Sequence, residues 1–366
     1  MTDIIDPDIR KAHTLPSDFY TSEERLREAR SRFSDYWHFA AHRSQFDEST
    51  AIPLPHIEGI LGEPMVLTSE DEFRCLSNVC THRGMIIAEQ QCSANTLQCP
   101  YHGRTFGLDG CFRSMPEFEE VLDFPSQSDN LQRFPTMEWN GIIFCGTSPL
   151  DFSGCFEELE RRLGWMPISS FEHDQSRFRD YEIEANWALY VDNYLEGFHI
   201  PFVHKDLHDV IDYDNYRTEI FEGGVLQNGI SSDDEPSFKL PEASPDFGEN
   251  VAAYYYWIFP GLMLNFYPWG LSVNIVVPVS PNRTRIVYHG FVGDNSMMGK
   301  GAGADLDKVE EEDQEIVEAT QRGVSSSIYD RGRYSPEREL GVHHFHRILS
   351  SSREIHNPPE CQENDD

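Results

Sequence analysis

The chain of 366 residues carries 63 Asp and Glu against 29 Lys and Arg, a formal charge of −34. Such a surface repels phosphate backbones and anionic lipid, which excludes a sequence-independent nucleic-acid or membrane-surface binder; solubility in salt is the simplest reading of the surplus acid, with an acidic face for a basic electron donor as the other. A hydrophobic share of 39%, with 24 Phe and 15 Tyr, provides for a packed interior, and the length favours two domains or one with a large insertion.

The start, Met1-Thr2-Asp3-Ile4, lacks the basic and apolar regions of a signal peptide, and no stretch reaches the roughly 18 apolar residues of a membrane span, so a cytoplasmic protein is expected. Ser22 precedes a charged helical run and is placed as the N-cap of an N-terminal helix over 20–32. From about 40 to 150 short apolar segments such as Met65-Val66-Leu67 are punctuated by Gly, Pro, Asp and Ser; this predicts a small all-β unit without helical periodicity. A mixed region follows, with a helix over 155–163, a strand over 179–184 and a helix over 187–199. Runs at 254–259, 273–279 and 285–288 are rich in aromatic and β-branched residues and read as sheet strands. A Gly-, Ser- and Met-rich loop over 294–304 leads into a long helix over 305–325, and 359–366 reads as a frayed acidic tail.

Eight Cys at uneven spacing are too few for a disulfide scaffold, so reduced thiols, some holding metal, are expected. Cys80-Thr81-His82-Arg83-Gly84 and Cys99-Pro100-Tyr101-His102-Gly103 each pair one Cys with one His. Two Cys and two His are the ligands of a Rieske [2Fe–2S] cluster, in which one iron takes the thiolates of Cys80 and Cys99 and the other the imidazoles of His82 and His102. Neutral imidazoles raise the potential to about −150 to +300 mV, against roughly −400 mV for all-Cys plant-type clusters. Gly84, Gly103, Gly107 and Gly110 lie around the loops, where a missing Cβ lets backbone N–H groups approach the cluster sulfurs. The alternative is a Cys₂His₂ zinc site, whose usual spacing pairs Cys with Cys and His with His. Cys75, Cys92, Cys111, Cys145, Cys155 and Cys361 are read as core thiols or bystanders.

A second cluster spans 192–204. Glu196 and His199 are three apart, on one face of the predicted helix, while His204 would point about 140° away from His199 on an ideal helix. Pro201 clashes with the carbonyl of Gly197, so the helix is expected to kink or stop there and let the imidazoles converge. Two His and a carboxylate form the facial triad that binds Fe(II) with open positions. Asp313 sits in the apolar stripe Val309, Ile316, Val317, Thr320 and Val324 of the late helix and is the expected third ligand, because an inward carboxylate needs a strong partner. Glu312 and then Glu310 are the next candidates. His343, His344 and His346 are a rival ligand source, read as structural.

In these segments, together with Asp192 to Glu196, Glu312 to Gly323 and Gly332 to Pro336, the chain resembles the α subunits of Rieske aromatic-ring-hydroxylating oxygenases, and among them the choline monooxygenase-like quaternary-amine oxygenases. The resemblance implies an α+β chain: an all-β Rieske domain (40–152) inserted into a helix-grip, START-like catalytic domain with an antiparallel sheet (1–39 and 153–366). It implies a terminal oxygenase that hydroxylates or oxidatively demethylates a small molecule such as choline or glycine betaine, using O₂ and electrons from an NAD(P)H-dependent flavin reductase or a ferredoxin. A head-to-tail homotrimer is implied too, in which His102 of one subunit approaches the iron of the next through Glu196, with Asn193 beside it in catalysis. Many ring dioxygenases have Asp where Glu196 stands, and many family members have Trp where Arg104 stands. The other readings are an aromatic-ring dioxygenase, a Rieske electron carrier without oxygen chemistry, and a zinc-stabilised binding protein. Tyr254, Tyr255, Tyr256, Trp257, Phe259, Phe266, Tyr267 and Trp269 are read as mostly sheet core, with some able to wall a pocket for a trimethylammonium group.

Overall fold

The computed structural model describes residues 4–151, 153–232 and 235–351; Cys361 and the acidic segment 359–366 lie outside them. The chain divides into two compact units, one made of 30–151 and 167–173, the other of the segments before, between and after. At the start, α1 (Glu23–Arg30) is capped as expected, since Ser22 Oγ accepts from the Glu24 N–H at 3.2 Å, and it buries Leu26 and Ala29.

The smaller unit holds β1 (His38–His42), β2 (Ala51–Pro53), α2 (Pro55–Leu61), β3 (Met65–Ser69), β4 (Phe73–Ser77), β5 (Thr96–Gln98), β6 (Thr105–Gly107), β7 (Phe112–Ser114), β8 (Arg133–Phe134), β9 (Thr136–Trp139) and β10 (Ile142–Cys145). They form three small sheets, ordered β1-β10-β9, β2-β3-β4-β8 and β5-β6-β7. The all-β expectation needs one correction, because α2 interrupts it. Pro55 opens that helix and Gly62 closes it at φ 75°, the usual asymmetry of helix ends, but seven residues are too few to show a period.

The larger unit contains α3 (Ser153–Leu163), β11 (Glu172–Ile183), α4 (Trp187–Tyr194), α5 (Ile200–Val203), α6 (Lys205–Val210), β12 (Arg217–Phe221), β13 (Gly224–Ile230), β14 (Val251–Ile258), β15 (Leu262–Tyr267), β16 (Gly270–Ser280), β17 (Arg283–Val292), α7 (Leu306–Val324) and α8 (Leu340–Ser350). Strands β12 to β17 run as an antiparallel meander, and β11 flanks β17. This antiparallel sheet with packed helices is the architecture expected of the catalytic part. Helix α4 packs on α7 and β16, and α8 packs on β12 and β13.

Register decides what the sheet presents. Gln227 pairs with Tyr255, Tyr255 with Asn265, Asn265 with Ser272 and Ser272 with Gly290. Directly paired residues point to the same face, so this row lays a polar and aromatic line across one side of the sheet. Tyr254 and Tyr256, one residue to either side of Tyr255, face the other way and are fully buried.

Candidate active site

Helix α4 starts where Asn186 Oδ1 accepts from the Ala188 N–H at 2.9 Å. It stops at Tyr194, five residues before the expected end, and Pro201 begins the next short helix rather than terminating this one. Glu196 and His199 therefore meet across a turn, not along a helix face. Glu196 takes the His199 backbone N–H at 3.0 Å and lies 2.7 Å from its Nδ1 through the other oxygen. The turn depends on Gly197, where a Cβ would stand 2.8 Å from the Tyr216 ring.

Helix α7 supplies the facing side. Its inward residues are Val317, Gln321 and Val324, while Ile316 and Thr320, both placed in the stripe from sequence, are exposed. Extended upward at helical spacing, the same face carries Asp313 and Glu310. Asp313 Oδ1 lies 2.9 Å from His204 Nε2 and 3.5 Å from His199 Nε2, and accepts from Asn193 Nδ2 at 2.6 Å. One ligand atom each from His199, His204 and Asp313 falls within 4.8 Å of the others. His204 Nδ1 is 2.8 Å from Glu312, so each imidazole has a glutamate on Nδ1 and turns Nε2 toward Asp313. Burial opposes charge on His204, but its bonds to Asp313 and Glu312 outweigh that and raise its pKa. Two imidazoles, each fixed in tautomer and orientation by an outer carboxylate, beside one inward carboxylate are donors that fit a divalent iron. Sequence reading ranked Glu312 as a substitute ligand; the structure puts it behind His204 instead.

The remaining His cluster is engaged elsewhere. His343 Nε2 lies 2.8 Å from the Asp6 carbonyl, and His346 bridges Asp192 at 2.8 Å and the Tyr334 hydroxyl at 2.6 Å.

In the smaller unit the two Cys-His loops are built alike. The Cys80 N–H donates to Met85 O and the Cys99 N–H to Arg104 O, both at 2.8 Å; Gly84 and Gly103 close the loops back onto the Cys carbonyls at 2.9 and 3.1 Å. Both glycines have φ above 70°, which an L side chain resists. At Gly84 conformation is the reason for glycine, since a Cβ would meet nothing within 4 Å. Cys80 and Cys99 are buried with Val66, Leu76, Leu97 and Phe106, and burial together with the adjacent Cys99 thiol pushes the Cys80 thiol up. His82 and His102 stand outward with ring centroids 4.9 Å apart. Two adjacent thiols inside and two adjacent imidazoles outside fit a cluster with Cys₂ on one iron and His₂ on the other. Arg104, buried at the end of the second loop, pairs with Asp129 at 2.5 Å, and the Asp129 carbonyl accepts from Thr81 of the first loop at 2.9 Å.

A cavity of about 90 Å³ opens beside the triad, walled by Tyr194, Tyr216, Tyr255 and Tyr267 and by the amides of Asn265 and Asn274. A larger one of about 610 Å³ is lined by Trp269, Ser272 and Tyr288, and Glu310 and Leu306 belong to both. Tyr254, Tyr256, Trp257, Phe259 and Phe266 are core. Burial and then the charge of Asp313 push Glu310 up to about 7, against hydrogen bonds from Tyr288 and Tyr190. The sequence places Glu310 behind Asp313 and Glu312 as an iron ligand; its partners Tyr190 and Tyr288 come from α4 and β17, which spacing along α7 does not show.

A family model for the ring hydroxylating alpha subunit (catalytic domain) matches residues 170–352, and one for the Rieske [2Fe-2S] domain matches 36–133. Choline monooxygenase, chloroplastic, of Beta vulgaris is 28% identical over 362 residues, covering 93% of this chain and 78% of that one. The carnitine monooxygenase oxygenase subunit of Escherichia coli K12 is 28% identical over 362 residues, covering 93% and 94%. A solved quaternary ammonium Rieske monooxygenase, described with insights into carnitine oxidation and inter-subunit electron transfer, superposes with a TM-score of 0.79 at 24% identity, covering 96% of this chain and 99% of that chain. Naphthalene 1,2-dioxygenase from Rhodococcus sp. superposes at 0.73 with 16% identity, covering 92% and 93%. At these identities the two superpositions speak for the fold.

Proposed function

The chain belongs to the family of ring-hydroxylating oxygenase α subunits, and on that premise we propose that His199, His204 and Asp313 hold its mononuclear Fe(II), with Cys80, His82, Cys99 and His102 holding the Rieske cluster. The protein is a Rieske-type non-haem iron oxygenase, an oxidoreductase using both cofactors. The observation that carries the assignment is the convergence of three ligand atoms within 4.8 Å from a turn and a helix more than a hundred residues apart. A pure electron carrier has no use for such a triad.

When bound, the cluster relays single electrons and the iron activates O₂ beside the substrate. The chain's own residues prepare that site. Glu196 and Glu312 fix the two imidazoles through Nδ1, and Asn193 orients Asp313. The tyrosine-walled cavity holds a small substrate next to the triad. Glu196 has a second role in this reading, carrying electrons from His102 of a neighbouring subunit in a head-to-tail homotrimer supplied by a flavin reductase or ferredoxin.

The substrate class we propose is a quaternary amine, by analogy with the choline and carnitine monooxygenases. Hydroxylation of a C–H bond next to the nitrogen then leads to demethylation, and hydroxylation at a carbinol carbon leads to the aldehyde. Among the described residues no helix is long and apolar enough to cross a membrane. The test is O₂ uptake with choline, glycine betaine, carnitine and simple aromatics, using a generic reductase and mass-spectrometric identification of products. Coupled uptake and an oxidised product with a quaternary amine are expected; diols from the aromatics alone, or no substrate-dependent uptake by iron-loaded enzyme, would overturn the proposal.

A further inference from the structure

We propose that Glu310 is a specificity-determining residue, the counter-charge that selects a substrate with a net positive charge over a neutral or zwitterionic one. The inference rests on the reading of the triad as the oxygenase centre for quaternary amines and narrows it to cations without a carboxylate.

Among the described residues Glu310 is the one carboxylate that lines both cavities. It accepts from the Tyr190 hydroxyl at 2.7 Å, from the Tyr288 hydroxyl and from Asn274 Nδ2 at 3.4 Å, so uncharged donors hold it in place. Among the described residues it has no Lys or Arg partner. Of the described residues no Lys or Arg lines the smaller cavity either, and its carboxylates are Glu196, Asp313 and Glu310. A divalent iron at the triad offsets Asp313 and Glu196 and leaves Glu310 over. A half-buried carboxylate without a counter-charge favours a cation brought to it. The surrounding rings of Tyr194, Tyr216, Tyr255 and Tyr267 suit a cation with no N–H to donate, through the negative faces of their π-systems.

The larger cavity sets the sign of what can extend from that head. Asp174, Asp305, Asp307, Glu310 and Glu311 line it, against Arg177 and Arg179. Both arginines are engaged: Arg179 pairs with Asp307 at 2.8 Å, and Arg177 lies 3.7 Å from Asp174 and stacks over the Trp269 ring at 4.7 Å. The surplus is negative, so a substrate tail carrying its own carboxylate meets repulsion there. Choline has a hydroxyl on that side, whereas betaine and carnitine have a carboxylate.

The test compares holoenzyme binding of choline, its neutral isostere 3,3-dimethyl-1-butanol and L-carnitine by titration calorimetry, with kcat and KM from O₂ uptake, in wild type and Glu310→Gln. Iron content and the reduced-cluster EPR signal verify that the variant is loaded. Wild type is expected to prefer choline to both other compounds. The variant is expected to bind choline about tenfold more weakly and to show a KM raised about tenfold, with kcat and isostere binding little changed. Should Glu310→Gln fail to fold, wild type alone still decides, since equal affinity for choline and the isostere refutes the proposal. A wild-type preference for L-carnitine, or a folded variant that keeps the choline preference, refutes it too. Absence of product from every quaternary amine instead sinks the functional reading, while choline turnover with an indifferent Glu310→Gln sinks only this inference.

Discussion

Glu196 holds His199 at two points, with one carboxylate oxygen 2.7 Å from the imidazole Nδ1 and the other taking the same residue's backbone N–H at 3.0 Å. The turn that positions the imidazole and the contact that fixes its tautomer thus come from one side chain. Glu196→Gln preserves a side-chain carbonyl for an Nδ1–H and should keep the mononuclear iron while slowing electron delivery to it in single turnover. Glu196→Ala removes the support and should weaken iron affinity by about 10- to 100-fold. Iron content and single-turnover rates measured side by side separate the two roles, and wild-type electron transfer in Glu196→Gln would remove Glu196 from the electron path.

Asp313 and Glu312, adjacent on α7, are expected to behave differently. Asp313 Oδ1 faces Nε2 of both histidines, whereas Glu312 reaches Nδ1 of His204 from behind. Asp313→Ala should therefore lose the mononuclear iron and all O₂ uptake while the cluster's EPR signal persists. Glu312→Gln should retain iron at reduced affinity and keep measurable turnover. The reverse pattern would make Glu312 the ligand.

How far the sequence discloses this site depends on whether local rules decide it. The Cys-His loops are set by their own spacing and by two glycines at positive φ, and both signals stand in the linear sequence. The His pair is legible as residues but not as geometry: Pro201 reads as a helix terminator, yet α4 already ends at Tyr194, and the turn that follows places Gly197 against Tyr216, just before β12, a contact that local rules do not show. Strands β12, β13 and β15 were not foreseen. β13 and β15 are buried along their whole length, so they do not alternate, and β13 carries Gly224, Gln227, Asn228 and Gly229, which read as loop. Glu310 is visible in the sequence only as a third-choice iron ligand, because its tyrosine partners lie on other elements.

The Arg104–Asp129 pair ties the two Cys-His loops together. The guanidinium is 2% exposed and lies 5.1 to 5.9 Å from the ring centroids of Phe106, Phe112 and Phe124. Asp129→Asn leaves that buried charge unmatched and should destabilise the smaller unit by about 3–5 kcal/mol. It should also raise the cluster's reduction potential, since an uncompensated positive charge nearby favours the reduced form, whereas Arg104→Leu should lower it. Thermal unfolding and spectroelectrochemical titration of the two variants report these effects, and shifts of the same sign in both would refute an electrostatic origin.

His38 and His42, at the two ends of β1, make the smaller unit acid-sensitive. Burial pushes each down to about 4 from an ordinary 6.5, only partly offset by the Phe33 and Ile168 carbonyls facing their Nε2 atoms at 2.9 and 3.0 Å. The unfolded chain takes up protons near 6.5 that the folded unit refuses. The stability contributed by these groups is therefore complete above that pH and drains away as pH falls toward 4, by on the order of 3 kcal/mol for each. His38→Gln retains a side-chain N–H for the Phe33 carbonyl and removes the titration. Urea midpoints followed from pH 7 to 4.5 should fall less steeply for this variant than for wild type, with any acid loss of the cluster common to both. Parallel slopes in the two proteins would mean that His38 takes up its proton over the same pH range in the folded and the unfolded chain.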